Sequence, residues 1–444
     1  MRFKLVVALL LTTTPVWALD PFSVYSKNAP EGCLDKDISQ EIDLPSLIQI
    51  AVCNNPSLNR DYMSVKAREA ELGATKGEYL PTVSASANAN KNITKNQDED
   101  KKHTTSPYSA NLGLSWLLYD FGKRGATTDQ MKAYLDSDSF TYNAALHDLV
   151  LSVNQAYFDL LSNQEVLRSA QESVKSYKKS YEETSKRYQL GMVSLSDKLL
   201  AQTTYQKSEL AVLQAQNAIE KSSATLSALL NLPADTKFNL TLPPKDRDIT
   251  ALETDMDVQK MMKTAVALRP EMKSALSSQD AARFGIDIAK AGHYPTLSAT
   301  GSAGYNDYYS GKHPYQMTGS AGLSLSVPIF NGFKTSYNVD RARFQYERAS
   351  ASVQDTKESI EKEVYTAYQD YTTAVSSYQV NQEVLKSAKE SERVAFVSYK
   401  AGKESILNLL TSQAQLAEAR QGVAVAFYNV LTSKAKLYRS IGQF

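Results

Sequence analysis

A chain of 444 residues that is 42% hydrophobic carries 49 Lys and Arg against 48 Asp and Glu, a formal charge of +1. That balance excludes the concentrated basic surface on which nucleic-acid binding rests, so no nucleic-acid partner is expected. No run of the sequence approaches the ~20 consecutive apolar residues of a membrane-spanning helix, and any insertion into a bilayer must therefore use strands.

In chain order, Arg2 and Lys4 precede an apolar run from Leu5 to Leu11 and the small-residue site Val16-Trp17-Ala18. This is the pattern of a secretory signal peptide over residues 1–18, with cleavage after Ala18. The two cysteines, Cys33 and Cys53, follow soon afterwards. In an oxidising periplasm they could form one disulfide tying the leader segment to the first helix, or remain separate thiols. Cys33 stands far beyond the cleavage site, which argues against a lipid anchor.

The mature sequence is duplicated. Ala51-Val52-Cys53-Asn54-Asn55-Pro56 aligns with Ala265-Val266-Ala267-Leu268-Arg269-Pro270 at an offset of 214 residues (265 − 51), and Pro81-Thr82-Val83-Ser84-Ala85 aligns with Pro295-Thr296-Leu297-Ser298-Ala299 at the same offset. Ala156-Tyr157-Phe158-Asp159 matches Ala367-Tyr368-Gln369-Asp370 at 211 (367 − 156). The expected organisation is a first repeat over 19–230, a linker over 231–256 containing Leu242-Pro243-Pro244, and a second repeat over 257–444.

Each repeat opens with a helix and continues into a β-hairpin, at about 82–118 and about 296–327, whose segments alternate strictly. Tyr108, Ala110, Leu112, Leu114, Trp116 and Leu118 share one face, with Ser109, Asn111, Gly113 and Ser115 on the other. Met317, Gly319, Ala321, Leu323, Leu325 and Val327 oppose Thr318, Ser320, Gly322, Ser324 and Ser326 in the same way. The four strands have about 9 to 11 residues each, the length at which a tilted strand crosses the hydrocarbon layer. A soluble sheet with one wet face would alternate too. The polar loop from Lys91 to Ser106, and aromatics near the strand ends (Tyr108, Trp116, Tyr119, Tyr305, Tyr308, Tyr309), favour the membrane reading. Four strands cannot close a barrel, and an open edge cannot face lipid, so copies must join.

A long helical hairpin follows each β-hairpin, with a tip near 191 in the first repeat and near 402 in the second. Apolar residues recur every seven positions along Leu146, Val153, Leu160, Leu167, Val174, Tyr181 and Tyr188, and again along Leu416, Val423, Val430 and Leu437. Such a period marks coiled-coil packing. The uninterrupted pattern from about 123 to 188 predicts a helix of ~100 Å at 1.5 Å per residue. Gly191 and Gly402 are placed to cap these helices where the chain reverses.

Enzymatic chemistry finds little support. His103, His147, His293 and His313 are scattered, and neither a zinc-protease helix nor paired-cysteine spacing occurs. Ala401-Gly402-Lys403-Glu404-Ser405 only superficially matches a phosphate loop, because position 397 is Val397 and Lys403 is not followed by Ser or Thr. No catalytic residue, cofactor or metal is expected.

The order and duplication of Asn55-Pro56 and Arg269-Pro270, Tyr79-Leu80-Pro81-Thr82 and His293-Tyr294-Pro295-Thr296, Tyr119-Asp120-Phe121-Gly122 and Val327-Pro328-Ile329-Phe330-Asn331-Gly332, and the two Tyr-x-x-Gly tips resemble the TolC family of outer-membrane exit ducts. The resemblance covers nearly the whole mature chain. It implies a mainly α protein with membrane β: a two-repeat protomer giving four strands to a trimeric 12-stranded outer-membrane β-barrel and long coiled-coil helices to a periplasmic α-barrel.

The partners it implies are two further copies, outer-membrane lipid, a periplasmic adaptor and an inner-membrane ABC or proton-driven transporter. Adaptor docking falls on Gly191, Met192, Val193, Ser194, Gly402, Lys403, Glu404 and Ser405, and a periplasmic gate on Tyr399, Glu404, Asn408, Thr411 and Asp197. The family's anionic ring falls here on Asn408 and Thr411, and its locking arginine on Glu404, a departure from strong cation selectivity and from the same locking contacts. Asp197 could supply a replacement ring or simply be a solvated, capping aspartate. The missing anchor cysteine and short leader incline the expected cargo toward type I protein secretion, with small-molecule efflux as the alternative and a surface coiled-coil fibre as a third reading.

Overall fold

The computed structural model describes residues 41–95, 102–242, 257–309 and 314–443. The predicted signal peptide, Cys33 and most of the linker lie outside the described residues. Cys53 is disulfide-bonded.

Eight helices and six strands are described: α1 (Leu44–Asn54), α2 (Pro56–Gly77), β1 (Thr82–Ala89), β2 (Asn92–Lys95), β3 (Lys102–Thr105), β4 (Pro107–Tyr119), α3 (Lys123–Gln189), α4 (Leu195–Leu229), α5 (Val258–Leu268), α6 (Pro270–Ala291), β5 (Thr296–Tyr308), β6 (Gln316–Ser326), α7 (Lys334–Lys400) and α8 (Ile406–Ile441). Both α3 and α7 run 67 residues without a break, about 100 Å each. Prolines punctuate the short helices. Pro56 and Pro270 cannot continue the preceding helix, so α1 ends on Asn55 and α5 on Arg269. The Asn55 side chain then caps α2, its Oδ1 accepting from the N–H groups of Ser57 and Leu58 at 3.0 and 3.1 Å.

The chain folds as two compact units woven from separate stretches. One contains Met63–Ser139 and Ser274–Gln354. Its centre is an antiparallel sheet in the order β1-β4-β5-β6, so the two hairpins meet along β4 and β5. The expected loop between β1 and β4 is shorter than the sequence suggests, since Asn92–Lys95 and Lys102–Thr105 pair as a separate ribbon. Thr and Ile positions there favour extended backbone despite the surrounding charge. The base of β4 is tied down by Asp120 and Arg124, a buried ion pair of 2.8 Å. Arg124 also donates to the Glu78 carbonyl and lies over the Tyr79 ring.

The other unit contains the described residues 41–62, 140–242, 257–273 and 355–443. Leu47, Val153, Leu161, Leu226 and Leu230 are fully enclosed in its main core. The predicted seven-residue line on α3 is buried at Val153 and Leu160 but only half-buried from Leu167 onward. Toward the end of the helix Ser173, Tyr177, Ser180 and Thr184 take the inner position instead. A straight helix drifts by about 20° per heptad, so after several turns a neighbouring row faces inward.

Where α6 starts, Arg269 and Arg439 are buried among three carboxylates. Glu271 accepts from Arg269 at 2.8 Å and from Arg439 at 2.6 Å, Glu363 accepts from both at 2.6 and 3.0 Å, and Asp148 accepts from Arg439. Burial alone would raise the Glu271 pKa, but the Arg269 hydrogen bonds and the two guanidinium charges outweigh it and pull it down to about 2.

Candidate functional site

Strand pairing sorts the alternating residues into two continuous faces. Opposite Leu114 stand Val83 on β1 and Gly301 on β5, and Gly301 in turn faces Ala321 on β6. One step along, Ser115 faces Thr82 and Thr300, and Thr300 faces Gly322. One face is therefore Ala, Leu, Val and Gly over most of its height, with the carboxylate of Asp307 at its loop end opposite Tyr108, and the other is mainly Ser, Thr, Asn and Gly without a charged side chain. Among the described residues nothing covers the apolar face: Val83 is 67% exposed, Leu323 72% and Leu325 65%. A water-soluble sheet buries such a face, whereas a lipid-facing wall leaves it open. At the loop end of β4 and β5, Tyr108 and Tyr305 both donate to Asp307 at 2.6 and 3.0 Å. Tyr305 also stacks on Tyr315, and Tyr108 meets Tyr309 edge-on. Amphipathic rings in this position suit a membrane–water boundary.

The two helical tips have the same construction. At the first, Gly191 has φ +69°, and its N–H reaches the Tyr188 carbonyl while the Met192 N–H reaches Arg187. At the second, Gly402 has φ +72°, and the corresponding bonds run from Gly402 to Tyr399 and from Lys403 to Ser398. Both are glycine-terminated helix ends in which two orphan carbonyls are satisfied. The returning helices start on serine caps, Ser194 for α4 and Ser405 for α8. Asp197 completes a reciprocal box with Ser194, so the capping alternative describes its contacts. Asn408 occupies the equivalent place, and its amide donates to Glu404. Around these turns Leu190, Met192, Leu195 and Leu407 are more than half exposed, Val193 and Glu404 are half-buried, and Thr411 is exposed.

Tyr399 is not on this surface. It is 2% exposed and packs with Tyr177, Ala201, Ile406, Leu409 and Leu410. Its hydroxyl lies 2.8 Å from Thr184 Oγ1, and the Arg187 guanidinium stacks on its ring. A polar group missed by the sequence reading lies nearby. Gln413, buried on α8, donates through Nε2 to Ser176 Oγ at 2.8 Å and Ser180 Oγ at 2.9 Å, with Glu392 Oε1 at 3.3 Å. The signal was available in Ser173, Ser180 and Thr184, which repeat at seven- and four-residue spacing beside the expected line through Val174 and Tyr181. Among the described residues no group of His, Cys, Asp and Glu is arranged to hold a metal ion, and no helix is long and apolar enough to cross a membrane.

Duplicated β-hairpins with an uncovered apolar face, each followed by a long helical hairpin with a capped tip, define the class of outer-membrane strand-and-coiled-coil channels. Comparison with known proteins agrees. The chain matches the family described as outer membrane efflux protein over residues 47–232 and 261–443. It is 26% identical to protein CyaE of Bordetella pertussis, covering 87% of this chain and 81% of that protein. Identity is 25% to outer membrane protein TolC of Escherichia coli K12, over 91% and 83% of the two chains. A Pseudomonas putida protein named probable efflux pump outer membrane protein TtgC is also 25% identical, over 90% and 82%. The solved structure of CusC superposes with a TM-score of 0.79 at 19% identity, covering 94% of this chain and 98% of that one, which establishes likeness of fold. The chain belongs to the outer membrane efflux protein family, that of the TolC-type channels. It is an outer-membrane protein with a long periplasmic helical region, and its family is one of conduits rather than catalysts.

Proposed function

We propose that this chain forms the outer-membrane exit duct of a tripartite efflux system, passing small molecules received from an inner-membrane transporter through a periplasmic adaptor. The observation that carries the reading is the sheet: four strands with one lipid-type face, one uncharged polar face and two unpaired edges, which only further copies can close. Three copies would give twelve strands, and the helical hairpins of each would contribute to a periplasmic tunnel. The matched tips, Gly191 to Ser194 and Gly402 to Ser405 with their exposed Leu190 and Met192, suit docking of the adaptor. The narrow periplasmic end would be closed by the hairpins that Tyr399 and Gln413 hold together. With Asn408 and Thr411 in place of acidic residues, and Asp197 engaged in its helix cap, this closure would favour cations only weakly. The proposed Cys33–Cys53 bond would tether the leader to α1.

Efflux is preferred to the protein-secretion branch inferred from the leader. The family description and the name of the Pseudomonas putida relative both speak of efflux. Deleting the gene and scoring two phenotypes separates the branches. Heightened sensitivity to dyes, detergents or metal ions with an unchanged secretome is the expected result. Loss of a secreted polypeptide with unchanged sensitivity would overturn the efflux assignment. Purified protein in a planar bilayer should give small, stable openings whose reversal potential in a salt gradient reveals weak cation preference, and strong cation selectivity would refute the account of the gate.

A further inference from the structure

The chain enters β1 from α2 and leaves β4 into α3 at one end of the sheet, so the loop ends of β4 and β5 lie at the other. In an outer-membrane protein whose long helices are periplasmic, those loop ends reach the external leaflet. Asp307 stands there on the lipid-type face, directly opposite Tyr108. Its Oδ2 accepts from the hydroxyls of Tyr108 at 2.6 Å and Tyr305 at 3.0 Å, and its Oδ1 accepts the Tyr308 backbone N–H at 2.7 Å. A carboxylate offers about four acceptor sites, so one on Oδ1 is left over. Around it the rings of Tyr309, Tyr108, Tyr305 and Tyr315 run in a row, successive centroids 6.2, 6.3 and 5.8 Å apart. The two end rings are open, Tyr309 80% and Tyr315 64% exposed.

We propose that this carboxylate and its row of tyrosines bind the sugar headgroup of a glycolipid in the external leaflet. The inference rests on the reading of the sheet as a channel wall with one face to lipid, and it adds a ligand that this reading leaves open. The C–H groups of a sugar face meet the negative face of an aromatic ring, the part played by Tyr309 and Tyr315. The remaining acceptor of Asp307 takes a hydrogen bond from a sugar hydroxyl, and a bond to an ionised acceptor is stronger than a neutral one. A headgroup that presents phosphate first is repelled by the same charge.

Two independent observations separate this cluster from an ordinary boundary belt. Belt tyrosines keep an apolar body in lipid and turn the hydroxyl to water, whereas Tyr108 and Tyr305 turn theirs onto Asp307 and so hold a charge on the lipid-type face. The second observation is a difference between the repeats. A belt needs rings around the whole circumference, and the duplication offers two equivalent places for them in each copy. At its offsets of 211 and 214 residues, however, Tyr108 corresponds to Gly319 and Tyr305 to Lys91. The cluster therefore occurs at one of the two hairpin junctions, as a localised site does and a girdle does not.

Capture of lipid by the full-length protein in phosphatidylcholine nanodiscs tests the site, with lipopolysaccharide, chemically dephosphorylated lipopolysaccharide and phosphatidylethanolamine as probes. The unsubstituted protein is expected to hold both forms of lipopolysaccharide and to prefer them to phosphatidylethanolamine. Asp307→Ala, and Tyr309→Leu combined with Tyr315→Leu, should each weaken that capture about tenfold, the loss of one charge-assisted hydrogen bond or its equivalent. Tyr119→Leu, an aromatic at the opposite end of β4, should leave it unchanged. Loss of capture on dephosphorylation would overturn the sugar assignment in favour of a divalent ion bridging Asp307 to a lipid phosphate. Capture of phosphatidylethanolamine as tight as lipopolysaccharide would overturn it in favour of an ammonium group over the rings. Equal capture by all variants, each shown to conduct in a planar bilayer, overturns the site alone. A protein that forms no channel there overturns both the site and the wall reading on which it rests.

Discussion

Replacing Glu271 by Gln removes one negative charge from between two buried arginines and keeps the side-chain shape. In the folded chain this carboxyl titrates at about 2 rather than its ordinary 4.5. At about 1.4 kcal/mol for each pH unit, that difference corresponds to about 3 kcal/mol of folding free energy at neutral pH. Breaking a buried ion pair by removing one partner costs about 3 to 5 kcal/mol. The lower end applies here, because Arg269 retains Glu363 and Arg439 retains Glu363 and Asp148. Between pH 4.5 and about 2 the unfolded chain holds a proton on Glu271 that the folded chain does not. Stability from this group is therefore complete above the upper limit and lost as pH falls through the lower one. Urea unfolding followed by helical circular dichroism, from pH 2 to 7, should show Glu271→Gln about 3 kcal/mol weaker at neutral pH, with the gap closing toward pH 2. A gap that is absent at pH 7, or that persists unchanged in acid, would refute the account of the cluster.

Leu114→Arg places a charge on the face assigned to lipid and should cost about 2 to 4 kcal/mol if that position lies near the bilayer midplane. Ser115→Arg, one residue away on the polar face, should insert normally, and equal yields of folded protein from the two variants would reverse the face assignment. Gln413→Leu leaves Ser176, Ser180 and Glu392 without their shared partner, a loss of about 1 to 3 kcal/mol. It should raise open probability in single-channel recordings, and an unchanged record would remove this group from the closure. Gly402→Ala and Gly191→Ala each force a side chain into a left-handed backbone at a cost of about 1 kcal/mol, while Gly→Asn is tolerated better. Limited proteolysis at the tips should rank Ala above Asn and Asn above wild type in cleavage, and an inverted order would show that the tips do not depend on the cap.

Alternation and duplication alone determined that this chain has paired hairpins with two chemically different faces. A period of two survives any tertiary context that keeps the strands, and Leu112, Leu114, Leu323 and Leu325 fell on one side without reference to a neighbour. The helical hairpins and their glycine turns were equally legible, because Gly191 and Gly402 follow tyrosines at the same spacing and only glycine adopts that backbone freely. Long-range pairing was beyond a reading of local pattern. That β4 adjoins β5, that Tyr399 is buried against Thr184 and Arg187, and that Arg269, Glu271, Glu363, Arg439 and Asp148 form one charge cluster depend on residues up to 291 positions apart. Inward-facing Ser180, Thr184 and Gln413 were not legible in the sequence for a related reason. A helix of 67 residues rotates its seam as it goes, and a polar residue on that seam is distinguishable from a solvated one only when its partner on another helix is in place.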